Sequence, residues 1–149
     1  MSVDAVTRLR LMAAGLHTTL YAEERLELPY DKVWAAASDL AGELPHFLPL
    51  LREFRVPPGD ADRKRALAVG PLGCRSAFEV RLAPGWCLMQ SRFVVGGMAA
   101  APEGDGTRFA MLGAARPAAL RPIQWAYAFE VRRRRAFIRK VALRAALRP

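Results

Sequence analysis

The chain has 149 residues, of which 52% are apolar and 25% charged, and its formal net charge is +9. This length is most simply one domain with a sizeable core, and the apolar content excludes a disordered chain. No run approaches the roughly 20 apolar residues of a membrane span, and the apolar run at 11–16 is too short for the ~7–15-residue core of a signal peptide, so the expectation is a cytoplasmic, untargeted protein.

The charge is unevenly placed. Residues 1–115 hold 13 Lys/Arg and 13 Asp/Glu, whereas residues 116–149 hold ten basic residues against Glu130 alone. A neutral body with a cationic end points to a folded domain plus a basic surface that could meet an anion. Arginine outnumbers lysine 20 to 3. Base composition of the genome and selection for anion binding both produce that bias, and both readings stay open.

Residues 1–16 read either as a short amphipathic helix ended by Gly15 or as a frayed extension. Residues 21–28 read as a strand with a wet face (Glu23, Glu24, Arg25, Glu27). Pro29-Tyr30-Asp31 is a turn in which Asp31 is the expected N-cap of a helix over 32–40 carrying Val33, Trp34, Ala37 and Leu40. A second short helix is expected over 43–51, with Pro45 in its first turn and Pro49 at its end. The apolar period then changes to two. Strands are expected near 53–56, 65–69, 75–83, 87–95, 98–101 and 107–114. Pro57-Pro58-Gly59-Asp60, Gly70-Pro71, Pro84-Gly85, Gly96-Gly97 and Gly104-Asp105-Gly106 supply the breaks. Such short breaks argue for an antiparallel meander. From about 118 to 147 the pattern is helical again, with Pro122 tolerated in the first turn.

The hairpin around Pro84-Gly85 sets Leu82 opposite Cys87 and Cys74 opposite Val95. Eight residues at ~3.3 Å each then hold the two cysteines too far apart for a disulfide. Both read as reduced packing residues. His17 and His46 supply no zinc-ligand spacing, and no cofactor or metal is expected.

The order strand, two short helices, strands, long terminal helix resembles the START-like superfamily, also called SRPBCC or the polyketide cyclase/dehydrase and lipid-transport group. The resemblance covers residues 20–147. "YAEERLELPYDKVWAAASDL" looks like its first strand and short helix, "ELPHFLPLL" its second helix, and "APGWCLMQSRF" and "GDGTRFAM" its later strands. These motifs are structural, and none carries a catalytic residue over. The resemblance implies an α+β helix-grip fold: a curved antiparallel sheet of about 6–7 strands wrapped around the C-terminal helix, with a cavity that takes an apolar or aromatic small molecule. Residues 1–19 are then an extension, and 20–149 the helix-grip domain. The extension and the basic terminal helix depart from the family pattern.

At ~100° per residue, Leu120, Ile123, Tyr127, Val131, Ile138, Val141, Ala142 and Ala145 share the face expected on the sheet. Arg134 falls within that arc. Its side chain either snorkels or pairs with an acid such as Glu79, or enters the cavity to receive a ligand carboxylate or phosphate, unless a kink turns it away. Trp125, Phe129, Ala136, Leu143 and Leu147 form an opposite stripe that needs a cover. The N-terminal segment or a second subunit is preferred to a membrane, so a homodimer through this helix is one expected partner.

The candidate ligand-binding residues are Phe47, Phe78, Val80, Phe93, Phe109, Met111, Tyr127, Val131 and Arg134. The basic flanks Arg132, Arg133, Arg135, Arg139, Lys140 and Arg144 could contact nucleic-acid phosphates, but no base-reading motif accompanies them. No GxGxxG, P-loop, HExxH or GxSxG motif is present, His46 has no positioned partner, and no catalytic residue is assigned. As a function, a carrier or sensor of an apolar, optionally acidic, small molecule leads. A nucleic-acid-binding accessory protein follows. A cyclase or dehydratase, the enzyme type found in the resembled superfamily, is third.

Overall fold

In the computed structural model, residues 3–16, 19–59, 61–92, 94–115 and 134–149 are described. The elements run α1 (Ala5–Ala14), β1 (Thr19–Leu26), α2 (Tyr30–Ser38), α3 (Leu40–Phe47), β2 (Glu53–Arg55), β3 (Arg63–Val69), a 3-10 turn (Pro71–Gly73), β4 (Arg75–Ala83), β5 (Trp86–Gln90), β6 (Val94–Glu103), β7 (Gly106–Ala115) and α4 (Arg134–Leu147). The strands form one antiparallel sheet in the order β1-β7-β6-β5-β4-β3-β2. Strand β1 pairs out of sequence; it closes against β7, with Tyr21 opposite Leu112 and Arg25 opposite Arg108.

Alternation along the strands sends side chains to two different layers. On one side, Phe54, Ala66, Ala68, Val80, Cys87, Met89, Met98, Ala100 and Phe109 meet α2, α3 and α4. There Phe47 of α3 sets its ring edge-on to Phe137 of α4, with centroids 5.5 Å apart. On the other side, Ala99, Ala110 and Leu112 meet Val6, Leu9 and Ala13 of α1. Val6 and Leu9 are fully buried. Asp4 caps α1 by accepting from the Thr7 N–H at 2.8 Å. Arg10 donates to both carboxylate oxygens of Glu23 on β1 (2.9 and 2.8 Å), and Arg8 lies 4.5 Å over the Trp86 ring. Of the two readings of residues 1–16, the helix is therefore found, and it is docked.

Several boundaries differ from the sequence reading. The helix α2 begins at Tyr30 because Pro29, fixed at φ −62°, is its N-cap, and its carbonyl accepts from the Lys32 and Val33 N–H groups; Asp31 sits in the first turn, where the helix dipole favours it. The next helix, α3, starts three residues before the expected 43, since Asp39 accepts from the Gly42 N–H at 3.1 Å. Pro45 thus lies inside it and not in its first turn. The expected strand 87–95 is broken. Its chain turns after Gln90, where the Val94 N–H donates to Ser91 Oγ and the Ser91 N–H to the Val94 carbonyl. Gly96-Gly97, expected as a break, runs inside β6 in extended conformation.

Leu82 does face Cys87, but Cys74 does not face Val95: β5 ends at Gln90 opposite Glu79, and Val95 pairs with Gln90 and Ala114. Cys74 is exposed and Cys87 buried, both as free thiols; burial pushes the Cys87 thiol up to about 12, so it stays neutral and unreactive at physiological pH.

Candidate functional site

Between the sheet and the helices α3 and α4 lies a cavity of about 400 Å³. Its floor is built by strand alternation: Ala68, Ser76, Phe78, Met89, Met98 and Met111 come from five neighbouring strands. Leu44 and Phe47 form one wall, Phe137 and Lys140 another. Phe54 and Phe78 lie 6.0 Å apart in a tilted pair on the β2 side. Exposed lining residues Pro49, Leu50, Cys74 and Arg75 mark the open end. The volume falls in the range of small-molecule sites, ~300–1,000 Å³, and the lining is overwhelmingly apolar, as such sites require.

Of the residues proposed to line it, Phe47, Phe78 and Met111 lie on the cavity wall. Val80 and Phe109 are buried beyond it, in the core that α2 and α4 cover. Phe93, Tyr127 and Val131 lie outside the described residues, as does the Arg134 side chain. Sequence reading missed Met98, Ser76, Phe54, Phe137 and Lys140. For the first three, strand alternation through the correct register would have served. Phe137 fell between the two stripes of the helical wheel, and only the neighbouring ring of Phe47 explains its burial.

The basic helix divides in two along its length. Arg144 donates to both oxygens of Glu43 (2.7 and 3.3 Å), and Arg148 reaches Asp39 at 2.6 Å and Glu43 at 3.5 Å. Glu43 is buried, and the Arg144 hydrogen bonds hold its carboxyl below the usual carboxylate range. This end of α4 is therefore a clamp onto the α2–α3 junction. Arg135 and Arg139 are exposed, and Lys140 turns into the cavity wall. Arg132, Arg133, Trp125 and Phe129 lie outside the described residues. Leu143 and Leu147 are 61% and 67% exposed. Since α1 packs on the opposite side of the sheet, the N-terminal segment is not their cover. His46 is exposed and does not line the cavity. Among the described residues, no group of three or more His, Cys, Asp and Glu could hold a metal, and no helix is long and apolar enough to cross a membrane.

No family model matches the chain, and no curated protein matches it. Solved structures do. An aromatase/cyclase, Zhui, from Streptomyces sp. R1128 aligns over 86% of this chain and 93% of its own at TM-score 0.61 and 15% identity. Ara h 8.0201 aligns over 87% and 98% at TM-score 0.56 and 11% identity. The protein TTHA0849 from Thermus thermophilus aligns over 86% and 97% at TM-score 0.61 and 18% identity. The chain has the helix-grip fold. At these identities the likeness carries the architecture alone, and it supports the START-like resemblance drawn from the element order.

Proposed function

We propose that this helix-grip protein binds an apolar or aromatic small molecule in the cavity between sheet and α4, as a carrier or sensor. The supporting observation is the cavity itself: about 400 Å³ lined by four phenylalanines, three methionines and several leucines. Burying a ligand there draws on roughly 25 cal/mol per Å² of apolar surface, with few polar groups left to set its orientation. Phe47, Phe78, Met89, Met98, Met111 and Phe137 are the proposed wall. Of the basic flanks weighed for nucleic acid, Arg144 is engaged with Glu43, and Arg135 and Arg139 are exposed. A homodimer over Leu143 and Leu147 goes with the proposal as a separate claim, and sedimentation of wild type against Leu143→Glu tests it.

The test is a fluorescence titration with N-phenyl-1-naphthylamine, a neutral apolar probe. Wild type should bind it saturably, and Ser76→Trp, which plugs the wall from β4, should lose it with the far-UV circular dichroism unchanged. Binding that Ser76→Trp leaves intact would place the probe elsewhere and overturn the reading.

A further inference from the structure

Charge is nearly absent from the cavity wall, and where it occurs it is positive. Among the described residues, Lys140 and Arg75 are its only charged lining groups, and no Asp or Glu lines it. The two cations differ. Arg75 is exposed at the open end and acts on the nearby Glu53 carboxylate. Lys140 is half-buried on α4, one turn after Phe137 and one turn before Arg144. Its neighbours on the helix are both engaged, Phe137 with the Phe47 ring and Arg144 with Glu43. The nearest acid on α3, Glu43, already serves two guanidiniums. Among the described residues, Lys140 has no hydrogen bond and no ion pair. A half-buried cation at an apolar wall that no acid lines is available to an anionic group inside the cavity.

We infer that Lys140 receives the acidic group of the ligand, so that the cavity selects apolar monocarboxylic acids over neutral molecules of the same shape. This rests on the cavity reading above. One ammonium balances one negative charge, which fits a carboxylate; a phosphate dianion would call for more donors than this wall offers. The apolar body lies among Phe47, Phe78, Met89 and Phe137, and the acid meets the ammonium where Lys140 enters the wall. Lysine suits the task because its aliphatic stem packs along apolar surface while its head stays movable.

Competition against bound N-phenyl-1-naphthylamine at pH 7.5 tests it, with decanoic acid and 1-decanol as a matched pair. In wild type, decanoate should displace the probe at about tenfold lower concentration than decanol, the effect of a charged hydrogen bond on a semi-buried site. In Lys140→Met, which keeps the stem's volume, that preference should vanish, read as the ratio of the acid's to the alcohol's displacing concentration measured against the probe's own affinity in that variant. In Lys140→Arg the preference should survive. Equal displacement by acid and alcohol in wild type, or an acid preference retained in Lys140→Met, overturns the inference and leaves the cavity reading standing. Failure of wild type to bind the neutral probe at all brings down both.

Discussion

Gly96 and Gly97 are neighbours on β6, yet a methyl group added to each would meet different surroundings. At Gly97 it would lie 2.9 Å from Leu9 Cδ1 and 3.5 Å from Leu112 Cβ. At Gly96 its nearest neighbour would be Met89 Cε, at 3.6 Å. The same contrast runs through the whole sheet. On its α1 side, Gly97, Ala99 and Ala110 lie under Val6 and Leu9 and let the helix come close: Val6, Leu9, Ala99 and Ala110 are all buried to within 1%. Its α4 side carries phenylalanine and methionine, and still leaves about 400 Å³ unfilled. Small residues on a sheet bring a helix down to contact, while large ones under a helix hold it off and leave a void.

The sharpest way to break the contrast is Leu9→Ala. It should cost about 3 kcal/mol, within the usual range for a fully buried leucine, in urea unfolding monitored by circular dichroism. Probe affinity should hold in the fraction that remains folded. Next comes Glu43→Gln, which leaves Arg144 without its carboxylate and Arg148 with Asp39 alone, and should cost about 2 kcal/mol. The same pair sets a pH dependence. Because the folded Glu43 pKa lies below its unfolded value, its contribution is complete above the ordinary glutamate value, about 4.3, and is lost as pH falls through the lower folded value. Acid unfolding of wild type should therefore show a drop in that window which Glu43→Gln lacks.

Smaller still is the glycine pair: Gly97→Ala should cost about 1 kcal/mol through crowding against Leu9, while Gly96→Ala should be close to neutral in thermal unfolding. Smallest is Arg8→Ala, which removes a cation from over the Trp86 ring and should cost about 0.5 kcal/mol, seen as a slight fall in Tm.

The order of elements was legible in the sequence because turn residues and the change of apolar period are local signals. Asp39 shows the limit of such reading. Nothing nearby marks it as the single residue that both ends α2 and caps α3. Gly96-Gly97 misled for a physical reason: a glycine pair reads as a turn, but at Gly97 the glycine is needed for the close approach of Leu9, a residue almost ninety positions away. The shift of the β5–β6 turn to Ser91 follows from the same error. The site was less legible than the fold. Phe47, Phe78 and Met111 could be proposed once a helix-grip cavity was assumed, but Lys140 was grouped with the basic flanks, because a helical wheel ranks faces and cannot say where a void lies. The excess of terminal charge also read as a surface, whereas Arg144 and Arg148 are consumed by acids of the α2–α3 junction, some hundred residues earlier in the chain.

The most direct test of the account uses the protein's own methionines. Met89, Met98 and Met111 line the cavity, and Met12 packs on the opposite side of the sheet. With the methionine methyl groups labelled with carbon-13, addition of N-phenyl-1-naphthylamine should shift the resonances of Met89, Met98 and Met111 through the ring currents of the bound probe and leave Met12 in place. A shift at Met12 with the three inner methyls unmoved would contradict the assignment of the binding cavity to the α4 side of the sheet.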